Sequence, residues 1–114
     1  MAVLMIETVP DWIGVRTRNE VLTAAEEAAH AHGDRTEARG EAAVLRWVLA
    51  PYERAPLTGA RTSRSEPTDL DLAVEERAAL QAARDRELPP SQRAFARGAA
   101  RALGWVLGFE PLDP

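Results

Sequence analysis

The chain of 114 residues has no cysteine and no lysine, a single asparagine and only six aromatic residues. Without cysteine there is no disulfide, no thiolate nucleophile and no Cys-ligated metal. Without lysine, all 14 basic residues are arginine, which reads as a high-GC coding bias rather than as chemistry. An Arg-rich appearance is then weak evidence for nucleic acid, and the net charge of −4 points the same way. The aromatics are Trp12, Trp47, Tyr52, Phe95, Trp105 and Phe109. Much of the remaining apolar fraction is alanine, which buries little surface per residue. Such a chain has room for one domain with a modest core. It can fold alone, and dimerisation would help it.

Long hydrophobic runs are missing as well. Met1–Ile6 is a short apolar stretch with no basic residue before it, and Glu7 and Pro10 follow. It is too short for a signal sequence or a membrane span, which needs about 18 apolar residues or more. The expected location is the cytoplasm, with no membrane contact. Catalytic patterns are absent too: there is no Cys–His pair, glycine-rich phosphate loop, nucleophile elbow or paired-carboxylate frame. The expectation is a protein that is not an enzyme and carries no cofactor.

What is present is a repeat. Residues 22–49 align without a gap on residues 80–107, at an offset of 58, and 12 of the 28 positions are identical. Four of the identities are Ala and carry little weight in this composition. The run Ala38-Arg39-Gly40 on Ala96-Arg97-Gly98, and Trp47-Val48-Leu49 on Trp105-Val106-Leu107, are much harder to match by accident. A Pro-Leu pair follows each copy, Pro56-Leu57 and Pro111-Leu112.

Punctuation divides the chain around this repeat. Residues 1–16 read as an irregular or extended entry broken by Pro10 and Gly14. Thr17 and Glu20 form a capping-box pattern, predicting a helix from about Arg18 to His32 that stops at Gly33. Asp34 and Glu37 form a second acidic cap before a helix over about Arg35–Ala50, which Pro51 ends. Residues 51–69, with three prolines and the run Thr62-Ser63-Arg64-Ser65, read as a linker. Thr68 or Asp69 caps a third helix over about Leu70–Glu87. Pro89-Pro90-Ser91 restarts the chain for a fourth over about Ser91–Leu107, stopped at Gly108. The predicted fold is all-α: a tandem repeat of two helical hairpins, residues 17–50 and 70–108, in a four-helix arrangement, with a tail at 109–114.

Helical periodicity sorts the faces. On the fourth helix Phe95, Ala96, Ala99, Ala100, Leu103, Val106 and Leu107 share one broad stripe. On the second helix Ala38, Ala42, Leu45, Val48 and Leu49 do the same. Glu41 falls within that apolar sector, where the other copy has Ala99. Off the stripe, Gly40 and Trp47 lie seven residues apart, and so do Gly98 and Trp105. A helical glycine costs roughly 1 kcal/mol against alanine, so its presence in both copies asks for a close approach. This Gly–Trp line is either internal packing or a patch used by a partner, since Trp is favoured at contact centres.

Arg35 and Arg39 on one helix, and Arg93, Arg97 and Arg101 on the other, form flanks beside the core stripes. They read either as solvated faces pairing with glutamates of adjacent helices or as rows that grip phosphates. Glu26, His30, His32 and Asp34 are the one cluster with ligand chemistry, but two His in one turn lack a full ligand set, so no metal is expected.

The pattern from Glu37-Ala-Arg-Gly to Leu45-Arg-Trp-Val-Leu, followed by Ala55-Pro-Leu-Thr-Gly59, resembles short helical proteins encoded by actinobacterial phages and plasmids. That resemblance implies no activity. It favours an accessory or assembly role in a mobile element. The leading expectation is a non-enzymatic helical protein that binds another protein or itself through Gly40, Trp47, Gly98 and Trp105. The alternative is a small nucleic-acid-binding regulator working through Arg35, Arg39, Arg93, Arg97 and Arg101.

Overall fold

A computed structural model describes residues 12–30, 35–50, 54–61 and 67–109. It is mostly helical, with four helices and a two-stranded hairpin. The strands are β1 (Trp12–Ile13) and β2 (Arg16–Thr17), and the helices are α1 (Arg18–Ala29), α2 (Thr36–Leu49), α3 (Asp69–Arg84) and α4 (Pro90–Leu107).

The helix starts follow local chemistry. Thr17 and Glu20 make a reciprocal capping box on α1, and Thr68 and Asp71 make another on α3. Pro90 opens α4 in the first turn, where its missing N–H costs nothing, and Gly108 closes it with φ at 89°. Helix α1 ends earlier than the Gly33 stop suggests: His30 is its C-cap, and its Nδ1 lies 2.7 Å from the Glu26 carbonyl oxygen. Residues 31–34, which include His32, Gly33 and Asp34, are outside the described residues. Helix α2 starts on Arg35 without a side-chain cap, and α3 ends at Arg84, three residues before the predicted Glu87.

The segment read as an irregular or extended entry and the one read as a linker both carry structure. Within the entry, β1 and β2 pair antiparallel, Trp12 with Thr17 and Ile13 with Arg16. Gly14 turns the chain with φ at 62°. A Cβ there would also lie 2.3 Å from the Val106 carbonyl oxygen, so the site excludes every other residue on two counts. Within the predicted linker, the described residues include a tight turn over 55–59, closed by the Gly59 N–H donating to the Ala55 carbonyl at 2.9 Å.

Helix α1 packs on α2, α2 on α4, and α4 on α3. Helix α4 is therefore flanked on two sides, and its buried set is wider than one stripe: Ala96, Gly98, Ala99, Ala100, Ala102, Leu103, Gly104 and Val106. The core joins these to Ile13, Val21, Val44, Leu45, Trp47, Val48, Leu72 and Ala79. No helix of the described residues is long and apolar enough to cross a membrane.

Candidate functional site

The Gly–Trp residues lie within the chain's own packing. Gly40 and Gly98 sit where α2 and α4 meet. A Cβ on Gly40 would fall 2.0 Å from the Phe95 carbonyl oxygen, and one on Gly98 would fall 1.8 Å from that of Glu37. The two contacts are reciprocal, since Glu37 and Phe95 are themselves 58 positions apart. Each glycine admits the backbone of the other helix, which explains why a residue unfavourable in a helix stands at both places. Trp47 is 5 % exposed and belongs to the core. Its indole N–H is buried with no acceptor among the described residues. Trp105 is half-buried, and the Arg16 guanidinium stacks 4.6 Å from its ring centroid.

Arg16 does more than stack. Its Nε donates to the Trp105 carbonyl at 2.8 Å, and the Val15 N–H donates to the Val106 carbonyl at 2.9 Å. Arg18 donates from Nη2 to the Leu49 carbonyl at 2.9 Å. Residues 15–18 thus form a strap across the C-terminal ends of α4 and α2. Both cations meet the negative ends of helix dipoles, and Arg16 shares the Trp105 carbonyl with the Gly108 N–H, which donates to it at 3.1 Å.

A polar cluster edges the α2–α4 contact. Glu37 accepts from Arg97 Nε at 2.9 Å and from Arg101 Nη2 at 3.0 Å, and Glu41 accepts from Arg101 Nη1 at 2.9 Å. One turn further along α2 meets one turn further along α4, so the two helices run in the same sense here. The hydrogen bond from Arg97, reinforced by Arg101, holds the Glu37 carboxyl below its ordinary range against the opposing effect of partial burial. For Arg101, partial burial works against the charge, but Glu37 and Glu41 outweigh it and raise its pKa. Glu41, inside the apolar sector by periodicity, is served by Arg101 reaching over from α4.

The five arginines of the phosphate-gripping alternative are therefore spread over different situations. Arg35 and Arg39 are exposed. Arg93 is half-buried, and its Nε has no acceptor among the described residues. Arg97 and Arg101 face carboxylates. Glu26 and His30 stay on α1, and among the described residues no group of three or more His, Cys, Asp or Glu could hold a metal ion.

Two features escaped the sequence reading. Glu75 is 1 % exposed on α3, and its carboxylate accepts from the Leu57 N–H, from the Thr58 N–H at 3.1 Å and from the Thr58 hydroxyl at 2.8 Å. It latches the turn after α2 onto α3. The second is an apolar end. Trp12 is 54 %, Val15 52 % and Phe109 69 % exposed. Val15 lies against Gly108, 3.0 Å from where a Cβ would stand, and Phe109 is the next residue. Val15 and Phe109 thus stand exposed where the hairpin meets the end of α4, and Trp12 stands exposed on β1 of the same hairpin.

Comparison with protein-family models, with curated proteins and with solved structures found no match to this chain.

Proposed function

We propose that this is a small non-enzymatic helical protein that works by binding another protein, and that the end formed by Trp12, Val15 and Phe109 is its contact surface. The observation behind this reading is that three large apolar side chains, on the hairpin and just after α4, are each more than half exposed, on a frame fixed by the strap. Scattered apolar residues at a surface are ordinary, whereas a cluster including Trp suits a partner. Trp47 and the two glycines support it from inside, as parts of the frame. An accessory or assembly role in a phage or mobile element is the setting that the sequence resemblance favours.

The same reading takes α1–α2 and α3–α4 as two copies of one helical hairpin, each covering the apolar face of the other. The aligned 28 positions and the reciprocal glycine contacts support it. Superposition of the halves in an experimental structure tests it. The nucleic-acid alternative has less support, because Arg97 and Arg101 are engaged by Glu37 and Glu41. It requires salt-sensitive duplex binding that Arg39→Ala weakens.

The direct test is a photo-crosslinking amino acid at position 12 or 109, expressed in the host that carries the gene. The expected outcome is a discrete adduct with another protein, absent when the same group stands at exposed Glu27. Equal labelling from all three positions would reject the surface.

A further inference from the structure

We propose that the outward face of α3 joins a second copy of this chain, antiparallel, about a two-fold axis near Ala73. This face is separate from the Trp12 end and does not depend on that reading. Leu70, Ala73, Val74, Arg77, Gln81 and Arg84 are all exposed or partly exposed and recur at three- and four-residue steps, so they form one stripe. Its N-terminal half is apolar: Leu70 is 71 % and Val74 50 % exposed, one turn apart. Buried Leu72, Glu75 and Ala79 take the opposite side of the helix against the core.

Charge decides the occupant. The apolar pair is bracketed by exposed Asp69 before it and exposed Arg77 after it, and no ion pair among the described residues engages either. Asp69 and Arg77 stand eight residues apart, about 12 Å along the axis. When two such helices pack antiparallel about Ala73, position 69 of each copy falls opposite position 77 of the other. The acid of one then meets the base of the other at both ends. Leu70 and Val74 of the two copies meet between them, and the Arg77 stems cover their rims. Ala73 at the axis lets the backbones approach. A stripe that is acidic, apolar, small, apolar and basic in that order complements itself under two-fold symmetry, as an isologous contact requires. The face is small beside a standard interface of roughly 1,600 Å², so the dimer is weak.

Sedimentation velocity of the full chain, from micromolar to near-millimolar concentration, tests the proposal. The sedimentation coefficient should rise with concentration towards the dimer value. Leu70→Glu and Val74→Glu should each hold the chain monomeric. Asp69→Arg and Arg77→Asp should each weaken association about tenfold, and the double variant should return to within about threefold of the parent. All four positions are exposed or partly exposed and the Thr68–Asp71 capping box remains, so cooperative melting curves confirm folding, with Asp69→Arg slightly lowered by the loss of a first-turn acid. Trp12→Ala with Phe109→Ala should leave sedimentation as it was. A chain monomeric at every concentration, a double variant no better than its single parents, or loss of association in the Trp12/Phe109 variant would each overturn the α3 contact. Only the crosslinking experiment bears on the Trp12 end.

Discussion

Trp47 and Trp105 hold equivalent places in the sequence repeat, yet one is sealed in the core and the other lies half-open beneath an arginine. The difference arises upstream. At the same 58-residue offset, the hairpin residues 12–17 correspond to 70–75, which are the first turns of α3. Each of these segments secures the C-terminal side of the other half's second helix. In the first half Val15 and Arg16 hold the last carbonyls of α4. In the second, Glu75 holds the N–H groups of the turn after α2. One places a cation and a backbone donor on a helix C-terminus, and the other places a buried carboxylate on a loop. The glycine crossing between them is alike on both sides. The sequence repeat is thus matched by reciprocal glycine contacts where two backbones meet, whereas the two clamps differ.

The largest expected effect tests the tryptophan contrast. Trp47→Ala should cost about 3–5 kcal/mol, as for a fully buried large side chain. Trp105→Ala should cost clearly less, with part of the loss being the Arg16 stacking. Urea melts of the two variants measure this, and equal costs would remove the asymmetry.

Next come the glycines, where the halves should behave alike. Gly40→Ala and Gly98→Ala each drive a methyl into a carbonyl of the facing backbone, and neither carbonyl can yield like a side-chain tip. Each should cost about 1–3 kcal/mol, at the upper end of that range, even though alanine is the better helix former. A gain in stability at either site would break the equivalence.

Glu75→Ala should cost about 1–3 kcal/mol by leaving the Leu57 and Thr58 N–H groups without their acceptor. Hydrogen exchange should accelerate at those two amides and not at Val15, because the two clamps are separate.

The smallest effect concerns the one-sided polar edge. Glu37→Gln should cost up to about 1 kcal/mol at neutral pH, as expected for partly exposed pairs. Because the folded-state pKa is lowered, the contribution of Glu37 is present above the ordinary glutamate range. It is lost as pH falls through the lowered value. Melting curves of variant and parent should therefore converge in strong acid. Phe95, the equivalent position, has no carboxylate, so Phe95→Leu should show no such pH dependence.

Helix content, both capping boxes and the start and stop of α4 were legible because each rests on chemistry within a few neighbouring residues. The seven-residue Gly–Trp spacing was legible too. Its internal packing was one of two readings left open, since a single periodic stripe does not reveal that α4 is flanked by both α2 and α3. The hairpin escaped because two-residue strands are too short to show alternation; Gly14 alone marked it, as a break. Glu75 escaped for another reason: its partners are main-chain N–H groups of a distant turn, which no side-chain pattern announces. Arg97 and Arg101 carried two readings, pairing with glutamates of a neighbouring helix or gripping phosphates, and the structure sets Glu37 and Glu41 against them.

The strap also gives the molecule a built-in optical readout. Its three tryptophans occupy three media: Trp12 is exposed, Trp47 sits in the core and Trp105 lies under a guanidinium. Their emission should separate into a red component, a blue component and a third that changes when Arg16 lifts away. Detachment of the strap and melting of the core can then be followed as distinct events in one unlabelled sample.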